Sequence, residues 1–315
     1  MGYSIGRVFK PIEEEMKNYA EVDSLYMPVP NYSLKGLWKN IRAARKAVGQ
    51  KHYDVVHITG AEHYLIPFLL GQKVVVTVHD LGFYTNHPQT IKQHWKALLF
   101  INTLKQADCV TFISEKSRLE ALQFVSINRN VVIPDAIGLD YVYCPKPLNT
   151  QKPVVLQIGT KDNKNLLRTI AALDGIICNL RIIGNLSVEQ IEALENYHID
   201  YSTACNLTDE QIIDEYKKCD IVSLPSVYEG FGMPIIEGQA IGRVVVTSSI
   251  SPMKNIAGDS AVLIDPNDIN SIRTGFVKAI NQYESYIPKG LQNVAGYRVN
   301  VIANRYYEVY KKIIE

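Results

Sequence analysis

The sequence holds few cysteines, and none of them stands in a pattern typical of a metal or redox site. Its 315 residues contain five cysteines, an odd number, and no two of them form a C-x-x-C pair. Zinc sites and redox dithiols usually contain such pairs, so neither is indicated. Scattered cysteines of this kind fit a reduced, cytosolic compartment.

The chain also lacks long apolar runs and an excess of either charge. The start, MGYSIGRVFKPIEEE, has no apolar signal core, and no uncharged apolar run approaches the roughly 18 residues of a spanning helix. The 33 basic and 32 acidic residues leave a net charge of +1, which gives no reason to expect nucleic acid as a partner. We therefore expect a soluble, cytoplasmic protein.

What the sequence does contain is a regular alternation of short apolar runs with longer helical stretches. This alternation predicts layers of helices around parallel sheets, and the length exceeds what one core usually supports. The predicted strands are Leu25–Val29, Val55–Thr59, Val74–His79, Cys109–Ser114, Asn130–Pro134, Val154–Ile158, Leu180–Ile183, Asp200–Ser202, Ile221–Leu224, Val244–Thr247 and Ala261–Ile264. The predicted helices include Leu37–Val48, Ile91–Lys105, Leu166–Leu173, Pro234–Ile241 and Tyr297–Ile313.

A proline-rich stretch divides this pattern into two halves. The run YCPKPLNTQKP at residues 143–153 contains three prolines and predicts a linker. We expect two Rossmann-like, doubly wound α/β domains at 1–146 and 147–296, followed by a helix at 297–315. Ligands bind such sheets beyond the carboxyl ends of the strands, so the turns there hold the candidate residues.

The strongest of these turns follows the predicted strand Ile221–Leu224. Gly230 and Gly232 allow close approach of the backbone to a ligand or a positive φ. Pro234 suits the first position of a helix, whose N-terminal N–H groups and positive dipole end can bind a diphosphate. The order of strand, glycine turn and proline-started helix indicates a function here, whereas a glycine motif alone is weak.

Two glutamates accompany this turn. Glu229 comes just before the glycines, and Glu237 lies about one helical turn beyond Pro234. The two carboxylates can therefore reach different parts of one elongated ligand. A pair of glutamates eight positions apart is also expected by chance, so the spacing itself carries no weight.

The second turn follows the predicted strand that ends at Gly159. Thr160, Lys161 and Lys164 stand between that glycine and the helix Leu166–Leu173. A lysine here can place a positive charge on a phosphate that also receives main-chain N–H bonds. A solvated loop lysine is the alternative, and it is the commoner case for a lysine considered by itself.

The third turn ends a buried strand at His79. Asp80 can orient the imidazole, which can be a structural residue, a hydrogen-bond donor to substrate or an acid/base. His57 ends the neighbouring strand, and Glu62 and His63 follow it, so we expect these side chains near the same sheet edge. No Ser/His/Asp order, P-loop or metal-ligand spacing stands out.

At these three turns the chain resembles the retaining glycosyltransferases of family 4. Those enzymes have the GT-B fold, in which two Rossmann-like domains face each other across a cleft. The resemblance covers nearly the whole length and leans toward mannosyltransferases. Its carriers are Thr77-Val78-His79-Asp80-Leu81, Gly159-Thr160 with Lys164-Asn165, Tyr228 to Pro234 with Glu237, Ala257-Gly258-Asp259-Ser260-Ala261 and Asp265-Pro266.

The resemblance implies a role for each turn. Glu237 would bind the ribose hydroxyls, Lys164 would neutralise the diphosphate, and Glu229 would hold hydroxyls of the transferred sugar. His79 would contact that sugar from the first domain, and the final helix would return to that domain. The implied donor-binding residues are Gly159, Thr160, Lys161, Gly230, Phe231, Gly232, Met233 and Glu237, and the acceptor-side candidates are Gly6, Arg7, His57 and Asp80.

The reaction so implied moves a hexose from a nucleoside-diphosphate sugar to a glycan or lipid-linked acceptor during cell-surface polysaccharide synthesis. It needs neither a metal nor a cofactor, and GDP-mannose is the favoured donor. Two departures from the family stand out. The first glycine loop falls at residues 2–6 with no strand before it, and only Lys161 stands where members commonly supply an arginine.

Other functions fit parts of this pattern. A non-catalytic subunit would keep the nucleotide-sugar site alone, and an epimerase of the same fold would isomerise the donor without an acceptor. A nicotinamide oxidoreductase is disfavoured, because no G-x-G-x-x-G follows a strand.

The segment from Lys35 to Lys51 carries six basic residues and no acidic one, interleaved with apolar residues. Such a helix can lie on anionic lipid at the inner face of a membrane. A solvated helix packed on its own sheet is the commoner alternative.

Overall fold

The structure is a computed structural model that describes residues 2–30, 33–69, 71–81, 97 and 100–315. The chain divides into two compact units, Met1–Ala136 with Val299–Glu315, and Ile137–Arg298. The second unit therefore begins before the proline-rich stretch and not within it. The reason lies in the backbone, because the N–H of Ile137 donates to Tyr297 and that of Cys144 to Ile241.

In the second unit the described helices and strands alternate along the chain. The described helices of both units are α1 (Gly2–Met16), α2 (Leu34–Gln50), α3 (Glu115–Leu122), α4 (Leu166–Leu173), α5 (Val188–Asn196), α6 (Asp209–Lys218), α7 (Met233–Ile241), α8 (Met253–Ala257), α9 (Ile269–Val294) and α10 (Val299–Ile314). The strands are β1 (Val56–Ile58), β2 (Val74–Val78), β3 (Cys109–Phe112), β4 (Asn130–Val132), β5 (Val154–Ile158), β6 (Asn179–Ile183), β7 (Tyr201–Ala204), β8 (Ile221–Leu224), β9 (Val244–Ser248) and β10 (Val262–Ile264).

Within the described residues, the first unit holds a four-stranded sheet in the order β1-β2-β3-β4, with parallel neighbours throughout. Every residue of β2 and β3 is buried, as expected for strands covered on both faces. Helix α1 packs against α10, because Phe9, Ile12 and Met16 share one helix face and are buried with Tyr306.

The second unit holds a six-stranded parallel sheet in the order β10-β9-β8-β5-β6-β7. The chain starts at β5, proceeds outward to β7, returns to β8 beside β5 and then proceeds the other way. This reversal is a topological switch point, where a crevice opens beyond the carboxyl ends of two neighbouring strands. The loops after β5 and β8 therefore leave the sheet side by side, as the pairing of Gln157 with Ser223 requires.

Most of the predicted elements are present. Strands Val154–Ile158 and Ile221–Leu224 and helix Leu166–Leu173 are confirmed residue for residue. The predicted helix Ile91–Lys105 falls mostly outside the described residues, and its last part is a 3₁₀ turn, Asn102–Gln106.

Two predictions at the start of the chain are wrong. Leu25–Val29 is irregular, because the side chain of Asn40 bonds both the N–H and the carbonyl of Val29 in place of a neighbouring strand. The expected glycine loop at residues 2–6 is the first part of helix α1. The apolar spacing of Phe9, Ile12 and Met16 suits a helix.

Candidate active site at the switch point of the second unit

Two asparagines join the loops that leave the carboxyl edge of the second sheet. The Asn163 side chain donates to the carbonyl of Tyr228 at 3.0 Å. The buried amide of Asn165 donates to the carbonyls of Pro225 at 3.0 Å and Pro266 at 2.7 Å. The loop after β5 is thereby fixed to the loops after β8 and β10, so the crevice between them is preorganised.

An ion pair bridges the same two loops. Lys164 Nζ lies 2.5 Å from Glu229 Oε1, with only 20% and 14% of the two side chains exposed. The Lys164 carbonyl accepts a bond from Gln157 in β5 at 3.1 Å. Because both charges are largely withdrawn from water, they interact more strongly than an exposed pair.

Gly159 makes room for this lysine. It follows β5 with a φ of +95°, and a Cβ there would lie 3.0 Å from Lys164 Cγ. The alkyl chain of Lys164 therefore runs directly over the glycine. A side chain at residue 159 would strain the backbone and push the lysine aside.

The buried helix α7 begins at the glycine turn. Gly232 precedes it with a φ of +121°, and Pro234 stands in its first turn. The N-terminal N–H groups and the positive dipole end of α7 thus lie at this turn. The Phe231 side chain is buried against Tyr297, with ring centroids 6.0 Å apart. A ligand at this turn would therefore contact the backbone of Phe231 and not its side chain.

The carboxylate of Glu237 is only 5% exposed. Its Oε2 accepts a hydrogen bond of 2.6 Å from the hydroxyl of the fully buried Tyr216. Burial, followed by the charge of Glu237, raises the pKa of Tyr216 well above its usual value. The tyrosine therefore remains protonated and acts as the donor in this bond.

The remaining predicted donor residues lie on the same loops. The Thr160 hydroxyl donates to the Asn185 carbonyl at 2.6 Å, and its own carbonyl accepts from Gln190 at 2.7 Å. Lys161 is exposed and Met233 is half-buried. Thr160 thus ties the loop after β5 to the loop after β6, and the donor-binding roles of these residues remain predictions.

His79 lies at the end of β2 in the first unit. Its Nε2 lies 2.9 Å from the carbonyl oxygen of Thr59. A carbonyl can only accept, so Nε2 carries the hydrogen and Nδ1 is the ring nitrogen that can accept. The ring meets the edge of Phe9 at 5.8 Å. Thr59 therefore orients the imidazole, and the part expected of Asp80 stays a prediction.

Two partly or fully buried carboxyls interact electrostatically with His79. Burial raises the pKa of Asp135 to about 6 and also raises the pKa of Glu62, and a charge on His79 lowers both. Asp135 is 6% exposed and follows β4. The carboxyl edge of the first sheet therefore does contain titratable groups, although Asp135 was not among the predicted residues.

His57 lies in the middle of β1 and is half-buried, and its role as an acceptor contact stays a prediction. Its Nδ1 lies 2.7 Å from the Tyr310 hydroxyl and its Nε2 lies 2.8 Å from the Thr77 hydroxyl. Burial lowers the pKa of His57 to about 3. Nδ1 thus joins α10 to the sheet, and Nε2 joins β1 to β2. His63 is buried, with Nδ1 bonded to the Phe100 carbonyl.

Gly6 and Arg7 also lie elsewhere than expected. Both are exposed residues of helix α1. They therefore lie in a helix and not in the glycine loop that the sequence predicted, and their role as acceptor contacts stays a prediction.

The described residues hold no group of three or more His, Cys, Asp and Glu side chains placed to bind one metal ion. All five cysteines are free thiols. Cysteine burial, as at Cys219, raises the pKa of the thiol to about 12.

Sequence reasoning missed two residues that shape the donor side. Asn165 was noted only as part of a motif, yet it adopts a left-handed conformation with a φ of 61° and joins three loops. An asparagine before a helix is a known signal for such a conformation. Tyr216 gave no signal, because it meets Glu237 only through folding.

The comparisons with known proteins agree with this geometry. The sequence profile described as "Glycosyltransferase Family 4" matches residues 7–141, and that described as "Glycosyl transferases group 1" matches residues 145–287. Among solved structures, sucrose-phosphate synthase from Thermosynechococcus elongatus superposes with a TM-score of 0.73 at 18% identity, covering 89% of this chain and 78% of that one. The fold is therefore that of the GT-B glycosyltransferases.

Curated relatives extend the likeness. O-antigen chain mannosyltransferase B of Escherichia coli is 23% identical over 77% of this chain and 70% of its own. GDP-mannose:cellobiosyl-diphosphopolyprenol alpha-mannosyltransferase of Xanthomonas oryzae is 22% identical over 82% and 73%. The chain spans only 30% of the longer E. coli mannosyltransferase WbdA, at 24% identity over 68% of this chain. The chain belongs to glycosyltransferase family 4, and it is a glycosyltransferase.

Proposed function

We propose that this enzyme moves a hexose from a nucleoside-diphosphate sugar to a hydroxyl of a glycan or lipid-linked acceptor, with retention of anomeric configuration. The observation that carries the proposal is the Lys164–Glu229 pair at the switch point, beside the N-terminus of α7. A cation and a helix N-terminus suit a diphosphate, and a carboxylate suits sugar hydroxyls.

The proposed chemistry breaks the bond between the anomeric carbon and the donor's phosphate oxygen. Negative charge then develops on the departing diphosphate, where Lys164 and the α7 N-terminus stabilise it. The acceptor oxygen attacks the same face of the sugar, and its proton passes to the departing phosphate oxygen. Both glutamates lie on one turn and its helix, so they do not flank one carbon as the glycosidase pair does.

We propose a GDP-mannose donor and a role in cell-surface polysaccharide synthesis. Both rest on the names of the curated relatives, which are mannosyltransferases of O-antigen and of a diphosphopolyprenol-linked sugar. The role of His79 in contacting the transferred sugar is proposed from the family resemblance. No metal has a role in this scheme, so transfer is expected to persist in EDTA.

The test is a donor screen followed by product analysis. A panel of nucleoside-diphosphate sugars is first ranked by thermal shift, because a bound donor raises the midpoint of unfolding. Transfer from the best donor is then followed by NMR at the anomeric proton. An axial linkage from an axial donor supports the proposal, and an inverted product contradicts the mechanism. Isomerised donor without acceptor would instead indicate an epimerase.

We also propose that helix α2 contacts an anionic membrane surface, near a lipid-linked acceptor. Its inner face is buried through Gly36, Asn40 and Ala44. On the outer face Leu34 is 87% and Trp38 60% exposed. The exposed basic residues of α2 are Lys35, Lys39, Arg42, Arg45 and Lys46. Within the described part of the chain, no helix has both the length and the apolar character that crossing a bilayer requires.

The outer face of α2 thus combines positive charges with exposed apolar side chains, and such a face suits the headgroup region of an anionic membrane. Sedimentation with phosphatidylglycerol vesicles tests this, using the double variant Lys39→Glu with Arg42→Glu. We expect it to lose most of its vesicle binding, whereas Lys278→Glu with Lys289→Glu on α9 retains it. Equal binding by both double variants would contradict the membrane role of α2.

A further inference from the structure

The buried contact between Tyr216 and Glu237 has a consequence for the nucleoside end of the donor site. Tyr216 lies near the end of α6 and Glu237 lies in the middle of α7. The phenol hydroxyl donates to Oε2 at 2.6 Å, and the two residues are 0% and 5% exposed. A carboxylate buried to this degree is stable only with such donors, because burial penalises its charge.

Neighbouring residues fix both Tyr216 and the helix that carries Glu237. The Tyr216 carbonyl accepts a bond from Arg243 Nε at 3.1 Å, and its ring meets the edge of Tyr141 at 5.8 Å. On the other side, a Cβ on Gly238 would lie 2.8 Å from Val222 Cγ2. Helix α7 therefore packs tightly on β8, so neither backbone can shift to repair a lost hydrogen bond.

The hydrogen bond also determines which lone pairs the carboxylate can present. A carboxylate has two oxygens and about four acceptor positions, and the tyrosine occupies one of them. The bond restricts rotation about the last side-chain torsion, which is otherwise broad and roughly two-fold. The vicinal diol of a ribose needs two acceptor positions in a fixed orientation. A carboxylate that rotates freely presents that orientation for a smaller fraction of the time than a fixed one.

We propose that Tyr216 is a positioning residue for the donor ribose, acting by holding the Glu237 carboxylate in the orientation that receives the ribose hydroxyls. The inference rests on the proposed function, since it takes Glu237 as the ribose ligand. Tyr216 itself is fully buried, so it acts through Glu237 and has no contact with the ligand.

The binding of two ligands to four proteins and one control variant tests this role. Dissociation constants are measured by calorimetry for the best nucleoside diphosphate of the donor panel and for its 2′,3′-dideoxy counterpart. The proteins are the wild type, Tyr216→Phe, Glu237→Gln and the double variant. Tyr286→Phe serves as a matched control, because Tyr286 is a buried tyrosine in the core of the same unit.

We expect Tyr216→Phe to weaken the nucleoside diphosphate about tenfold, as loss of a hydrogen bond to a charged group does. The dideoxy ligand should bind wild type and Tyr216→Phe within about twofold, because it lacks the diol that the bond serves. In the Glu237→Gln background the tyrosine change should have little further effect. Tyr286→Phe should match the wild type with both ligands.

Three other outcomes would contradict the positioning role of Tyr216. Equal weakening of both ligands by Tyr216→Phe would mean a merely structural role, and no weakening would mean that the bond is irrelevant to binding. Additive losses in the double variant would show that the tyrosine does not act through Glu237. If the wild type binds none of the nucleoside diphosphates, the proposed function fails, and this inference fails with it.

Discussion

The ammonium group of Lys164 lies 2.5 Å from a carboxylate oxygen of Glu229, and the two residues come from loops that leave neighbouring strands. In the proposed function Lys164 binds the diphosphate of the donor and Glu229 binds hydroxyls of its sugar, so this ion pair joins the two binding groups. Each charge holds the other in place before a donor binds. A donor that binds here must exchange part of this ion pair for its own contacts.

Lys164→Ala should lower kcat by about 10² to 10³, because the charge on the departing diphosphate loses a preorganised cation. The measurement is steady-state transfer from the best donor at saturating concentration. Lys152→Ala is the control, since Lys152 forms an exposed pair with Asp200 in the same unit. A Lys164→Ala enzyme with the wild-type kcat would rule out the assigned role.

Gly159→Ala should damage the same step through the lysine. The new Cβ would meet Lys164 Cγ at 3.0 Å, and the residue has a φ of +95°. Gly71→Ala is a matched control, because Gly71 has a φ of +96° and open space around it. We expect both to lose roughly 1–2 kcal/mol of unfolding free energy, but only Gly159→Ala to lose transfer, by about tenfold or more. Equal activity of the two variants would contradict this.

Much of the fold could be predicted, because a parallel strand buried on both faces is a short, nearly continuous apolar run. Val154–Ile158 is one such run, and its bounds match. Leu25–Val29 is also apolar, but no strand pairs with it, and the Asn40 side chain takes its backbone groups. An apolar pattern in the sequence does not indicate whether a distant side chain will form hydrogen bonds with the backbone of that segment.

The same distinction between local pattern and tertiary packing applies to the residues of the candidate site. Glu229 and Lys164 could be found because each follows a strand of the sheet at a turn, and the topology brings those turns together. Tyr216 could not, because its place is set by the packing of α6 against α7. His57 shows a different limit, since the sequence predicts it at a strand end, whereas it lies in the middle of β1 with its Nδ1 bonded to Tyr310 from the far end of the chain.

Replacing His57 should change how stability depends on pH. Burial lowers the pKa of His57 from 6.5 to about 3, so below the unfolded value the unfolded chain binds a proton that the folded chain does not. The stability from neutral His57 is complete above 6.5 and declines by up to about 1.4 kcal/mol per pH unit as the pH falls toward 3.

The stability advantage of wild type over His57→Gln should therefore shrink between about pH 7.5 and 5.5. Urea unfolding at several pH values measures it. His63 and Asp135 titrate in both proteins, so their contributions largely cancel in the difference. The exposed His52→Gln provides the control, and a pH-independent difference for His57→Gln would contradict the lowered pKa of His57.

Asn165→Ala should destabilise the second unit more than any ordinary surface change. The substitution removes the donors to the Pro225 and Pro266 carbonyls and leaves alanine at a φ of 61°. Unpaired buried carbonyls cost about 1–3 kcal/mol each, and the backbone conformation adds about 1 kcal/mol. We expect a total loss of roughly 3 kcal/mol in urea unfolding, since the loops can relax partly toward water.

Asn206→Ala separates the two causes, because Asn206 is exposed and also left-handed, with a φ of 54°. It should lose only about 1 kcal/mol, the part due to the backbone. Because Asn165 aligns the loops that carry Lys164 and Glu229, its alanine variant should also bind donor more weakly while still folded. A variant that loses stability yet binds donor as the wild type does would show that the loops keep their alignment without Asn165.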